Sequence, residues 1–300
     1  MYDRINELLS ICQEQGFVES RRWPSGWLSP SHFGLWENDG LLKPGGDLDF
    51  LSPIAIEKEL ELAKLLYFHA IGSTNSHLLD FAKMDSVDNY LATAECQLNG
   101  RGRRGRSWSS PYARNIAFSY GKALKKTIGE LGGLSLVVGL AIVEAISSAA
   151  VQLKWPNDLV VGEAKLCGIL VELISREKCT EIVAGVGVNV ELEYTETLHL
   201  EREVTDLQSL GVTLSRTELM IQFVGTLQKF LARFDEDGFQ PFVDAFNESH
   251  IYNGKTCNIH QGDTIITGRV EGVDVDGALI LSTENGLRSF HGGEVSLRAV

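Results

Sequence analysis

Four arginines and three glycines crowd into Gly100-Arg101-Gly102-Arg103-Arg104-Gly105-Arg106-Ser107-Trp108, in a 300-residue chain of formal net charge −13. Glycine lets the backbone turn back and approach a ligand closely. Arginine presents a planar fork of donors that matches carboxylate and phosphate oxygens. Trp108 adds a flat face for a base or ring. Together they offer capture of an anionic ligand by a loop that ends in a stacking platform. Gly100, Gly102 and Gly105 match the dinucleotide-binding G-x-G-x-x-G pattern. That motif needs a helix directly after it, and Ser107-Trp108-Ser109-Ser110-Pro111 is turn chemistry instead. No Gly-Lys-Ser/Thr closes the stretch, so it is no P-loop. A solvated basic loop, or an Arg/Gly segment that touches nucleic acid, remains open from these residues alone.

Other groups stand at both sides of the loop. Ser73-Thr74-Asn75 precedes Ser76-His77-Leu78-Leu79 and reads as a helix cap rich in spare donors. Gln97 comes just before the loop. Downstream, Lys154-Trp155-Pro156-Asn157-Asp158 has turn composition, and Lys165 comes after a bend at Gly162-Glu163. A hairpin there brings Asp158 and Lys165 to one point, and a converging carboxylate and ammonium suit a magnesium-phosphate site. The simpler reading of Lys165 is a surface lysine reaching Asp158 or Glu163. Lys165 opens Leu166-Cys167-Gly168-Ile169-Leu170-Val171-Glu172. Gly185-Val186-Gly187-Val188-Asn189-Val190 and His291-Gly292-Gly293-Glu294-Val295-Ser296-Leu297-Arg298 complete the set.

In this order and spacing the motifs resemble those of the biotin protein ligases, some of which also repress biotin synthesis. The resemblance runs from about Phe68 to the C-terminus. Lipoate ligases share the fold but carry a different arginine-glycine motif, and rank second. The resemblance implies an α+β fold: a central mixed sheet with helices, of the class II synthetase-like type, an N-terminal winged-helix-like domain and a C-terminal SH3-like barrel. The implied activity uses ATP and Mg2+ to convert biotin to biotinyl-5′-AMP, then passes biotin to a lysine of a biotin carboxyl carrier protein. Lys165, Arg101 and Asp158 are the expected catalytic residues, with Asp158 on the metal. Ser73, Thr74, Asn75, Gln97, Arg101, Gly102, Arg103, Lys165 and Gly168 are expected around biotin. Arg103, Arg106, Trp108, Lys154, Asn157, Asn189 and Arg298 are expected on the nucleotide, with Glu294 also facing its phosphates. A homodimer is implied for the adenylate-bound state. A repressor with this fold but no turnover is the competing class, and an intact Lys165 argues for catalysis.

Composition narrows the field. An apolar fraction of 44% is ordinary for a globular chain. The acidic balance opposes general nucleic-acid binding, which needs distributed basic surface. Cys12, Cys96, Cys167, Cys179 and Cys257 are scattered, without a Cys-x-x-Cys pair, which suits reduced thiols. Met1-Tyr2-Asp3-Arg4 leads into an amphipathic segment, not a signal peptide, and a cytoplasmic location is expected. Leu131 to Val151 is very apolar, but it contains Glu144 and is flanked by motifs, so a helix buried on the sheet is expected, not a membrane span.

Three domains are expected: residues 1–56, 57–250 and 251–300. In the first, Ile5, Leu8, Leu9 and Cys12 predict a short amphipathic helix. Leu41 to Phe50 reads as a hairpin tip, with a wing at Pro44-Gly45-Gly46. Pro24, Gly26, Pro30 and Gly34 break up the stretch where a recognition helix would lie. Residues 1–50 carry four basic against eight acidic side chains, a net of −4. DNA binding by this degenerate domain is disfavoured. In the second, Ile54 to Leu66 predicts a helical linker and Leu66 to Ile71 a strand. Asn115 to Tyr120, Leu166 to Ile174 and Glu181 to Val190 predict further strands. Ser215-Arg216-Thr217-Glu218 has capping-box spacing ahead of an amphipathic helix. In the third, turns at Gly262-Asp263, Asp274 to Gly277 and Glu284 to Gly286 divide short strands.

Overall fold

A computed structural model of the chain describes residues 2–46, 48–192, 203–261, 264–292 and 295–299. By contacts the chain divides into two compact units: 1–122 with 185–200 and 206–221, and 123–184 with 201–205 and 222–300. The fold is α+β. Its largest sheet has seven strands, in the order β4-β5-β6-β10-β9-β8-β7. These are Lys64–Ile71, Tyr90–Gln97, Asn115–Leu124, Thr180–Asn189, Ala164–Ser175, Asp158–Val161 and Gln152–Lys154 respectively. The β4–β5 pair is parallel and β5–β6 antiparallel, so the sheet is mixed.

The first unit opens with helix α1 (Tyr2–Gln15) and a small sheet of β1 (Val18–Glu19), β2 (Leu35–Asn38) and β3 (Leu41–Pro44). The stretch between β1 and β2 holds two short 3-10 turns, Ser20–Arg22 and Pro30–Phe33, where its prolines and glycines forbid a longer helix. The hairpin tip is not at Pro44-Gly45-Gly46. It is Asp39-Gly40, both at positive φ (50° and 74°), the Asp-Gly chemistry of a two-residue hairpin loop. The core of the N-terminal segment is continuous with that of the main sheet region. Ile5, Leu8, Leu9, Phe33 and Leu42 pack in one cluster with Ala70, Cys96, Tyr112 and Ala113 of the main sheet region. Asn6 also clamps the edge of β4, accepting from the Ala70 amide and donating to its carbonyl, each at 2.9 Å.

The helical linker is shorter than expected. Helix α2 (Pro53–Glu59) stops where Leu60 turns extended, because the Ala63 amide pairs with the Asn89 carbonyl and draws the chain from Lys64 onward into the sheet. Helix α3 (Thr74–Ala82) begins directly after β4.

The second unit contains β7, β8 and β9 and helix α4 (Leu134–Ile146), whose thirteen residues span roughly 20 Å, too short for a bilayer. Among the described residues no helix is long and apolar enough to cross a membrane. Helix α5 (Arg216–Asp237) starts with the expected capping box: Ser215 Oγ and the Glu218 carboxylate each accept from the other's backbone amide. After α6 (Val243–Ser249), five antiparallel strands, ordered β14-β13-β12-β11-β15, form the C-terminal sheet. They are Gly286–Phe290, Leu279–Thr283, Thr264–Val273, Thr256–Gln261 and Val295–Ala299. The turn expected at Gly262-Asp263 lies outside the described residues.

Candidate active site

In the first unit the polar residues form a neutral network. Ser73 caps α3 by accepting from the Ser76 amide. Thr74 donates its amide to Gln97 Oε1 at 2.8 Å and its hydroxyl to the same oxygen at 3.1 Å. The Thr74 hydroxyl also meets Ser119 Oγ, which donates to Asn75 Oδ1 at 2.7 Å. Thr74, Asn75 and Ser119 are buried, because the strand-to-helix turn after β4 aims the helix start at β5 and β6. Gly185 completes the floor: a Cβ there would lie 2.3 Å from Asn75 Oδ1. Ser119 was missed in the sequence, although a hydroxyl inside the apolar run Ile116 to Tyr120 was its signal.

The Gly/Arg stretch folds as a hairpin. The Trp108 amide donates to Gly100 O at 2.8 Å and the Gly102 amide to Arg106 O at 2.7 Å, with Arg101 bridged to Ser107. Its tip is the turn Arg103–Gly105, and the next element is strand β6 rather than a helix, against the dinucleotide-motif reading. Arg101 reaches Ser76 Oγ at 3.1 Å, while Arg104 and Arg106 are exposed. The half-buried Trp108 ring lies against Gly187, where a Cβ would sit 2.4 Å from the indole. Asn189, buried, accepts at 3.4 Å from the Asn115 amide, which also donates to Ser109 O at 3.3 Å. The structure thus gathers Thr74, Asn75 and Gln97 with Ser119 in one network, keeps Ser73 as the cap of α3, and joins Trp108 to the strand of Asn189.

The second unit holds a charged cleft of about 440 Å³, lined by Lys154, Asp158, Val160, Glu163, Lys165 and Glu203. Lys165 is 7% exposed and its Nζ meets Asp158 Oδ1 at 2.5 Å. A bulge makes this possible. Cys167 faces Leu159, but Lys165 faces Val160, a one-residue register shift. Without it Leu166 would take that face and Lys165 the opposite one, since successive strand side chains alternate. The Lys165 backbone is paired too, donating to Glu203 O and accepting from the Thr205 amide, both at 3.0 Å. Lys154 meets Glu163 at 3.1 Å and lies over the Tyr252 ring, whose hydroxyl also donates to Glu163. Burial opposes the Lys154 charge, but Tyr252 and Glu163 hold its pKa above the ordinary range. Burial likewise opposes the Glu163 charge, and the same contacts hold its pKa below 4.5.

Asn157 and Gly168 serve the backbone: Asn157 Nδ2 donates to Ile169 O at 2.8 Å, and Gly168 faces Asp158 across the β8–β9 pair. Arg298 lies on β15 opposite Asn258; its side chain and Glu294 lie outside the described residues. Arg216 is the larger surprise. It is 2% exposed and bonded to Glu95, itself fully buried. A glutamate inside the strand Tyr90–Gln97 was the legible sign that a buried cation was needed.

Comparison with known proteins agrees with this geometry. Residues 67–189 match the biotin/lipoate A/B protein ligase family, and residues 252–298 match the biotin protein ligase C-terminal domain. The bifunctional ligase/repressor BirA of Salmonella typhimurium is 32% identical over 275 residues, covering 88% of this chain and 85% of that protein. A biotin–[acetyl-CoA-carboxylase] ligase of Paracoccus denitrificans is 30% identical over 240 residues, covering 74% of this chain and 96% of that one. The Aquifex aeolicus biotin protein ligase, solved with biotin and ATP, superimposes with a TM-score of 0.66 at 26% identity, over 80% of this chain and 100% of that one. With that similarity spread over nearly the whole chain, the protein belongs to the biotin protein ligases of the biotin/lipoate A/B protein ligase family.

Proposed function

We propose that the chain activates biotin with ATP and transfers it to a lysine of a biotin carboxyl carrier protein. The observation that carries this reading is Lys165, desolvated yet at the wall of an open cleft, with its charge held by the carboxylate of Asp158. In the first step a biotin carboxylate oxygen attacks the α-phosphorus of ATP, and the bond to the β-phosphate oxygen breaks. Pyrophosphate leaves with the electron pair. A carboxylate and a polyphosphate repel, so Lys165, Arg101 and Arg103 neutralise the charge that builds up; one such donor is worth about 3 kcal/mol of barrier. In the second step the carrier lysine amine attacks the acyl carbon, AMP departs, and the amine loses its proton as the amide forms.

Ser73, Thr74, Asn75, Gln97 and Gly102 hold biotin, and Trp108 stacks on adenine with Asn189 and Arg106 beside it. Lys154, Asn157, Gly168 and Arg298 complete the phosphate and acyl contacts. Among the described residues no three His, Cys, Asp or Glu side chains gather into a metal cage. That fits magnesium, which arrives on nucleotide phosphates and takes only one or two protein carboxylates. Asp158 would hold it, and it would neutralise phosphate charge there.

The similar BirA proteins are named as ligases and repressors. For this chain the N-terminal segment works as a brace for the sheet and not as an operator reader. Its net charge of −4 and its two 3-10 turns in place of a recognition helix support that reading. The enzyme acts in the cytoplasm and pairs as a homodimer once biotinyl-AMP is bound. The test is ATP-dependent incorporation of labelled biotin into a carrier domain; no incorporation by folded protein contradicts the proposal.

A further inference from the structure

Arg216 is only a spacer in the capping box at Ser215, yet its guanidinium is buried in the first unit and bonded through all three of its nitrogens. Its Nη1 donates to Glu95 Oε2 and to Asp49 O, both at 2.6 Å. Nε and Nη2 both donate to the Asn115 carbonyl, at 2.9 and 2.5 Å. The other Glu95 oxygen accepts from the Leu51 amide and the Tyr67 hydroxyl, so both oxygens of the buried carboxylate are bonded. Asn115, 1% exposed, carries the contact onward, because its amide group donates to Ser109 O and to Asn189 Oδ1. Ser109 is the residue after Trp108, whose ring rests on Gly187, two residues before Asn189.

We infer that Arg216 and Asn115 are positioning residues for the nucleotide: Arg216 fixes the Asn115 backbone, and Asn115 fixes the Trp108 end of the hairpin against the strand of Asn189. The partners of both side chains lie outside the Thr74–Gln97–Ser119–Asn75 network, so the relay acts on the nucleotide and spares biotin. The guanidinium is needed for its shape. Three nitrogens reach three separate oxygens, and a lysine ammonium at the same backbone position cannot span Glu95 and the Asn115 carbonyl together.

This inference rests on the proposed adenylation, so the experiment measures pyrophosphate release by the wild-type protein first. Wild type inactive with biotin and ATP overturns the ligase reading itself. With active wild type, Asn115→Ala is compared for both substrates, since it removes the amide group but leaves the carbonyl that Arg216 needs. Loss of one such contact predicts a KM for ATP raised about tenfold, with the KM for biotin within about twofold of wild type. Asn115→Ser, which keeps a short donor, should recover part of the loss. Arg216→Lys should show the same split together with a lower melting temperature, because Glu95 loses its partner. Equal changes in both KM values, or an unchanged KM for ATP in folded Asn115→Ala, overturn the inference.

Discussion

The two polar regions are built on opposite principles. Around Thr74 the groups are neutral and bonded to one another through hydroxyl, amide and backbone, with Gly185 against Asn75. In the Lys165 cleft they are charged and paired across short ion bridges, Lys165 with Asp158 and Lys154 with Glu163. A neutral network resists change, since any unpaired buried donor costs the full desolvation of that group. It is suited to recognising a neutral ring by shape and hydrogen bonds. An ion pair at a cleft wall can exchange its anion for another at small net cost, which suits a reacting carboxylate or phosphate. Under the proposed function, selection and activation fall to different kinds of polar structure.

The largest expected effect breaks the charged side. Lys165→Ala should slow adenylate formation by about a hundredfold or more, with the fold intact, read as single-turnover pyrophosphate release. A near-normal rate would return Lys165 to the role of a surface lysine tied to Asp158.

The neutral side and the stacking platform can be told apart by two glycines. Gly185→Ala pushes a methyl against Asn75 and should raise the KM for biotin about tenfold, leaving ATP little changed. Gly187→Ala pushes one against the Trp108 ring and should do the reverse. If both variants affect the same substrate, the division of labour within the first unit is wrong.

The smallest effect concerns pH. His250 is buried in the second unit, stacked on Phe246, and its ring nitrogens have no hydrogen-bond partner among the described residues. Burial first, then the charges of Lys154 and Lys255, lower its pKa to about 3. Below the ordinary value of 6.5 the unfolded chain binds a proton that the folded chain refuses, so stability falls as the pH is lowered. By pH 5 the loss from this one group is about 2 kcal/mol. His250→Phe should remove that share of the decline between pH 7 and 5 in urea unfolding. A decline equal to the wild type's would mean that the imidazole is not held neutral.

Local signals were legible where chemistry and spacing coincide. The cap at Ser73, the capping box at Ser215, the strands at Leu66 to Ile71, Asn115 to Tyr120, Leu166 to Ile174 and Glu181 to Val190, and the Asp158–Lys165 approach could be read from the chain, whereas the strand Tyr90–Gln97 was not. Features that could not be read depend on pairing at a distance. The bulge that turns Lys165 toward Asp158 has no local mark, because Leu166 and Cys167 are both ordinary strand residues. The hairpin tip was misplaced because Pro44-Gly45-Gly46 is louder turn text than Asn38-Asp39-Gly40. The packing of residues 1–56 onto the sheet region could not be read, because the partners Ala70, Cys96 and Tyr112 come later in the sequence. Arg216 and Glu95 lie 121 residues apart, and only folding shows that each answers the other's charge.

The most direct test of the central claim is pyrophosphate release by purified protein with ATP, assayed with biotin and with lipoate in parallel. The predicted result is release with biotin and essentially none with lipoate, as the proposed function requires. Equal turnover of the two acids would contradict it.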